Sequence, residues 1–248
     1  MQRIAVTGSN GTIGRALCKD LAGEYEIVQI DRAGTELQID IGDLESLKRA
    51  FDQCTTVIHL AATVLTSAPW PDVQKNNIEG TYNVFEAARQ AGCRRVIFAS
   101  SNHVVGMYRH DRRAKDTGDG PEVPLSVDIP PRPDSLYAVS KVFGEALGRY
   151  YSDAFGLQVA CIRIGSINES DSPIPPRSWL PWRRNIEAEK RFATKWFSQR
   201  DFARLVRAIL ARDVPFGVVY GVGDNAERFM DLASGRELYG FFPLDGAK

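Results

Sequence analysis

The chain has 248 residues, 44% hydrophobic and 25% charged, which excludes the disordered, collagen-like and coiled-coil classes. Its 31 Lys and Arg balance 31 Asp and Glu, leaving no net field to steer nucleic acid or an anionic membrane to it. Length and composition together predict one compact soluble protein.

The first strand is expected at 3–7, where Arg3 runs into Ile4, Ala5 and Val6 without the long apolar stretch of a signal peptide. A helix follows at 12–22, then strands at 26–30 and 36–39, a helix at 44–52 and a strand at 56–61. The helix expected at 73–91 carries Val84, Phe85 and Ala88 at helical spacing and leads into a strand at 95–99. A long helix at 136–155, a strand at 158–164, a helix at 198–212 and a strand near 217–220 complete the series. Strands that are apolar almost throughout, alternating with helices, predict an α/β fold, a Rossmann-type doubly wound parallel sheet. Residues 1–165 would form the nucleotide-binding core. Residues 166–248 would supply a small C-terminal cap and the last sheet elements of the same compact domain.

Two segments break this rhythm. Residues 109–134 are polar and turn-rich, with His110, Arg112, Arg113 and several prolines; residues 166–195 hold more prolines with Trp179 and Trp182. Long irregular stretches inside a domain are usually functional. The four cysteines, Cys18, Cys54, Cys93 and Cys161, are far apart and form no C-x-x-C pair. They are expected as buried thiols in a reducing compartment, and with no apolar run of ~18 residues the cytoplasm is the expected location. His59 lies within an apolar strand and reads as a core histidine, while His110 has no ligand partner close in sequence, so no metal is expected.

The sequence Thr7-Gly8-Ser9-Asn10-Gly11-Thr12-Ile13-Gly14 joins the first strand to the first helix. Its glycines permit a tight turn and close approach of backbone to a pyrophosphate, whose charge the free N–H groups of the helix favour. Asp31 ends the second strand, where a carboxylate can accept from both ribose hydroxyls and repel a 2′-phosphate. This favours NAD, although Arg32 beside it leaves NADP open. Tyr137 and Lys141 are four apart and share one helix face. A lysine charge ~5 Å from a tyrosine, at an effective dielectric of ~20, supplies ~3 kcal/mol toward the ~4 kcal/mol needed to make it a base near neutrality.

These motifs, with Asp40-Ile41, HLAA at 59–62, NNIEGTYN at 76–83, SSNH at 100–103 and YAVSK at 137–141, resemble the extended short-chain dehydrogenase/reductase (NAD-dependent epimerase/dehydratase) family. FASSNHVVGMY, RPDSLYAVSKVFGE, RIGS and RFATKWFSQRDF are similar, more narrowly, to uronate dehydrogenases and to the related haloarchaeal NAD-dependent glucose-6-phosphate dehydrogenases. The resemblance implies Tyr137 as acid/base, with Lys141 binding the nicotinamide ribose and lowering the tyrosine pKa. It implies Ser101 as the partner of the reacting oxygen and Asn77 as the prop of the lysine through water. Around the cofactor it implies Gly8, Asn10, Gly11, Thr12, Ile13, Gly14, Asp31 and Arg32, with Asp40 and Ile41 at the adenine. Leu60, Ala61 and Ala62 would lie beside the ribose, and Ile164 of RIGS completes the set. Asn102 and His103 would line the sugar site, and Arg191 would hold a sugar carboxylate, which suits a planar guanidinium.

The sequence also departs from that pattern. The 36 positions from Ser101 to Tyr137 are more like the sugar-phosphate enzymes. Val64 stands where uronate dehydrogenases have a substrate-contacting serine, so Thr63 or Thr66 would have to substitute, and 173–184 is an insertion. Arg191 as a solvated surface arginine, Arg112-Arg113 and Arg183-Arg184 as surface or phosphate-binding pairs, and Trp179, Trp182 and Trp196 as sugar platforms or cap anchors all stay open.

The expectation is an NAD-dependent dehydrogenase acting at the anomeric hydroxyl of a cyclic sugar, a uronate before a hexose 6-phosphate or a neutral aldose. Its partner is the small-molecule sugar, and a homo-oligomer is left open. The competing readings are a nucleotide-sugar epimerase or dehydratase, for which the 84 residues after the sixth strand are few, and a non-enzymatic NAD(H)-binding redox sensor, which would not need Ser101, Tyr137 and Lys141.

Overall fold

The computed structural model describes residues 1–108, 124–176 and 186–248. Seven strands form one sheet: β1 Arg3–Thr7, β2 Glu26–Asp31, β3 Leu37–Gln38, β4 Thr56–His59, β5 Arg95–Ser101, β6 Gln158–Ile164 and β7 Phe216–Gly221. Their order is β3-β2-β1-β4-β5-β6-β7 and every pairing is parallel. The chain starts in the middle, winds outward to β3, then returns past β1 and winds the other way. The resulting switch point lies at the carboxyl ends of β1 and β4, where such sheets open a crevice.

Strand side chains alternate between two cores. Ile4 and Val6 pack on one face, under α1 (Thr12–Leu21) and the helix at Gln199–Leu210, together with Leu17, Phe202 and Val206. Ala5, Val57, Val96 and Phe98 pack on the other, with Phe51, Val84, Phe85 and Tyr151. All four cysteines are buried free thiols. Among the described residues no helix is long and apolar enough to cross a membrane.

Helices among the described residues include α1, α2 (Leu44–Ala50), α3 (Trp70–Val73), α4 (Gly80–Gln90), α5 (Leu136–Phe155), α6 (Ile186–Ala193), α7 (Gln199–Leu210) and α8 (Ala233–Tyr239). The single helix expected at 73–91 starts earlier, at Trp70, and contains a π-helical stretch, Gln74–Glu79, between α3 and α4. Such π turns are rare and often mark functional positions; this one carries the buried Asn77. Ser135 caps α5, its hydroxyl accepting from the Ala138 N–H at 3.2 Å, and Gly156 ends the helix in a left-handed conformation. A Cβ on Gly144 would lie 2.2 Å from the Phe98 ring, so this glycine lets α5 lie close on β5.

The end of the chain joins the same body. β7 pairs with β6, and α7 packs against α1. Ser166 and Trp196 form a β-bridge, with the Ser166 N–H donating to the Lys195 carbonyl at 2.7 Å. The expected sites His110, Arg112, Arg113, Arg177, Trp179, Trp182, Arg183 and Arg184 lie outside the described residues.

Candidate active site

A cavity of about 850 Å³ opens at the carboxyl ends of the strands. At one end it meets the turn between β1 and α1. Gly8 has φ +72°, and a Cβ there would lie 2.6 Å from the Ala61 N; a Cβ on Gly14 would lie 2.2 Å from the Gly8 carbonyl oxygen. Only glycine permits this packing of turn, helix and β4 end. Gly11 caps α1 without a side-chain hydrogen bond, so the first N–H groups of the helix are available to an anion. Asp31 closes β2, with Oδ2 accepting from the Asn10 N–H at 3.0 Å and Oδ1 from the Arg32 N–H at 2.7 Å. Its remaining lone pairs can accept further hydrogen bonds. The cradle, the helix end and the carboxylate fit a dinucleotide.

Gly8, Gly11, Thr12, Ile13, Gly14, Asp31, Arg32, Ile41, Leu60, Ala61, Ala62 and Ile164 all line this cavity. Asn10, Asp40 and Asn77 are not among its lining residues. Asn10 shapes the turn, donating from Nδ2 to the Ala33 carbonyl at 3.2 Å. Asp40 accepts from the Gly42 N–H at 2.8 Å, and Asn83, which the sequence did not single out, holds the Ile41 and Gly42 carbonyls from Nδ2.

At the other end stand Ser101, the last residue of β5; Asn102 and His103 in the 3-10 turn Asn102–Val105; and Tyr137 and Lys141 on α5. The Lys141 Nζ lies 5.7 Å from the Tyr137 ring centroid and 4.9 Å from that of Phe98. Burial dominates both groups: it lowers Lys141 to about 7 and raises Tyr137, a rise that the Ser101 hydroxyl opposes and the Asp134 charge reinforces. Desolvation outweighs the help expected of the lysine, so the protein's own groups leave the tyrosine above its ordinary value.

Neighbouring side chains set the site from outside. Asn77 accepts from the Thr63 N–H at 2.7 Å and donates from Nδ2 to the Thr63 carbonyl at 2.9 Å and to Ser140 Oγ at 3.0 Å. The Thr63 hydroxyl accepts from Asn76 Nδ2 at 2.9 Å. Neither Thr63 nor Thr66 lines the cavity; Val64 and Leu65 do, so the wall there is apolar and no threonine replaces the serine. Asn102 donates from Nδ2 to the Ile164 and Gly165 carbonyls at 3.0 and 3.3 Å, joining the ends of β5 and β6. Behind Ser101, Glu145 accepts from Ser100 Oγ at 2.6 Å and receives both Nε and Nη2 of Arg163 at 2.9 Å.

The roof comes from α6, a helix the sequence reading did not assign. Ala188, Arg191, Phe192 and Lys195 line the cavity at helical spacing, with Pro175 and Ser166 beside them. Trp196 is 6% exposed and lies outside the lining, which makes it an anchor of the cap rather than a sugar platform. His59 is a core histidine, bonded to Thr7 Oγ1 at 2.8 Å and Thr81 Oγ1 at 3.2 Å. Burial, with the Lys141 charge, lowers it to about 3. Signals for Val64 and α6 were present in the sequence as an offset and a short amphipathic run; the partners of Asn77 and Glu145 lie too far away along the chain to be read.

The profile of the NAD dependent epimerase/dehydratase family matches residues 4–212. The chain belongs to that family. It is 36% identical over 258 residues to the L-arabinose 1-dehydrogenase (NAD(P)(+)) of Haloferax volcanii, covering 100% of this chain and 98% of the relative. The NAD-dependent glucose-6-phosphate dehydrogenase of the same organism is 32% identical, covering 99% and 94%. The structure of a uronate dehydrogenase variant from Agrobacterium tumefaciens complexed with NAD superposes with a TM-score of 0.81 at 31% identity, covering 100% of this chain and 86% of that one. The protein is therefore an NAD-dependent enzyme with dehydrogenases of sugars and sugar derivatives among its relatives.

Proposed function

We propose that the protein is an NAD-dependent sugar dehydrogenase that oxidises the anomeric hydroxyl of a cyclic sugar to a lactone, with a hexuronate as the favoured substrate. One observation carries this reading: a single cavity is lined by the glycine turn and Asp31 at one end and by Ser101, His103, Tyr137, Lys141 and Arg191 at the other. Bound NAD supplies the hydride acceptor. Tyr137 takes the proton of the anomeric hydroxyl on its phenolic oxygen while Ser101 holds the same substrate oxygen. Lys141 stands beside the tyrosine and binds the ribose, and Asp31 fixes the adenosine end. Arg191 offers a planar fork to a carboxylate.

A neutral aldose is the second reading, favoured by the apolar wall of Val64 and Leu65 and by the L-arabinose dehydrogenase among the relatives. The test measures kcat/KM for wild type and Arg191→Ala on glucuronate, glucose 6-phosphate and L-arabinose. Removing one charged hydrogen-bonded contact of ~2–3 kcal/mol should cost ~30- to 150-fold on glucuronate and little on L-arabinose. A wild type that prefers L-arabinose overturns the uronate assignment, and an equal loss on all three sugars makes Arg191 structural.

A further inference from the structure

Two residues 31 positions apart meet at the sugar end of the cavity. His103 Nδ1 lies 2.8 Å from Asp134 Oδ2. His103 lines the cavity; Asp134 does not, sitting immediately before Ser135, the cap of α5. The carboxylate has a fitted seat. Its Oδ1 accepts from Ser135 Oγ at 3.1 Å, and a Cβ on Gly106 would lie 2.0 Å from Oδ2, so only glycine leaves room for it. Burial pushes the Asp134 carboxyl up, yet the hydrogen bonds from His103 and Ser135 hold it below its ordinary value. A carboxylate only accepts, so the hydrogen of the contact belongs to Nδ1.

In a neutral ring the other nitrogen then keeps its lone pair. Among the described residues no group is hydrogen-bonded to His103 Nε2, whereas both ring nitrogens of His59 are bonded to threonine hydroxyls. The His103 ring stands edge-on to Tyr137 with centroids 6.2 Å apart, which brings it close to the reacting centre.

We propose that Asp134 is a positioning residue for substrate recognition: it fixes His103 with its hydrogen on Nδ1, so that Nε2 accepts a hydrogen bond from a sugar hydroxyl. This rests on the dehydrogenase reading above and adds a demand on the substrate, namely a free hydroxyl within reach of His103. Metal-bound histidines are oriented by second carboxylates in the same way.

The experiment has two readouts. The chain has three histidines, so ring nitrogen NMR on uniformly labelled protein resolves each, with His103→Ala identifying the signal of interest. The wild type should show the His103 ring hydrogen on Nδ1, and Asp134→Ala should move that hydrogen to Nε2. Kinetically, Asp134→Ala should raise KM and lower kcat/KM ~10-fold on the best sugar, with the Kd for NADH little changed. The loss should vanish on one member of a monodeoxy sugar series, the one lacking the partner hydroxyl. His103→Ala should show the same loss and the double variant no more than either single one. Gly106→Ala keeps both side chains but crowds the carboxylate, and should reproduce part of the effect.

Wild-type His103 carrying its hydrogen on Nε2, additive losses in the double variant, or a fall in kcat equal on every deoxy sugar would each overturn the proposal; the last would make the pair a clamp on α5. Should no sugar be oxidised, the dehydrogenase reading falls, and the ring spectrum still decides whether Asp134 sets the tautomer.

Discussion

Asn77 grips Thr63 by both of its backbone groups, accepting from the N–H at 2.7 Å and donating to the carbonyl at 2.9 Å. The same amide donates to Ser140, one residue before Lys141, so the strand exit after β4 and the helix α5 are tied through one buried side chain. The resemblance implies Asn77 as a prop of Lys141 through water. The contacts of Asn77 run to Thr63 and Ser140, with Lys141 the neighbour of the second.

Asn77→Ala removes three hydrogen bonds and leaves buried partners unsatisfied. At about 1 kcal/mol each the loss should be about 3 kcal/mol, read as a lower urea midpoint at unchanged m-value. The sugar KM should rise as well, because the Val64–Leu65 wall follows directly after Thr63.

Asp31 is expected to set the choice of cofactor. Wild type should bind NAD more tightly than NADP, since a 2′-phosphate would meet the Asp31 carboxylate. Asp31→Ala should weaken NAD ~10-fold and relieve the repulsion, with Arg32 left beside the site. Fluorescence titration with NADH and NADPH measures both effects. An unchanged ratio of the two affinities would remove Asp31 from the specificity determinants.

Burial raises Tyr137, so more of its base form is present as pH increases. At saturating NAD, kcat/KM for the sugar should climb from neutral into alkaline pH. Tyr137→Phe should abolish the climb and cost ~10²- to 10⁴-fold in rate. A flat profile in the wild type would show that proton abstraction by this group does not limit the reaction.

His59 couples stability to acid. Burial lowers its folded value to about 3 from 6.5, so between those limits the unfolded chain binds more protons. Its contribution is complete above 6.5 and is lost as pH falls toward 3. The stability of wild type relative to His59→Gln should therefore be greater at pH 7 than at pH 4 in urea unfolding.

Most of the sheet is legible in the sequence, because runs such as Arg3–Thr7 and Gln158–Ile164 are apolar on both faces, and the cores on either side require this. The π stretch Gln74–Glu79 is not, since one wider turn changes hydrogen-bond register without changing composition. Helix α8 is seven residues long with Gly235 inside it, too short to show a period. At the site, Gly8, Asp31 and the Tyr137–Lys141 pair announce themselves by local spacing. The orientation of Thr63, turned away by Asn76 and Asn77, and the meeting of His103 with Asp134 depend on packing between segments far apart along the chain.

The anchoring of the roof has a consequence for remodelling. On one side Asn168 Nδ2 holds the Ser172 and Ile174 carbonyls, at 2.8 and 3.2 Å, and Gln199 Nε2 holds the Asn168 carbonyl at 2.8 Å. On the other, Lys195 is stitched to Ser166. Pro175 and α6 thus both reach the cavity from fastened backbone. Substitutions at Pro175 or Ala188 would reshape the cleft while the floor of β5 and α5 keeps its form, a route by which one scaffold can acquire new sugars.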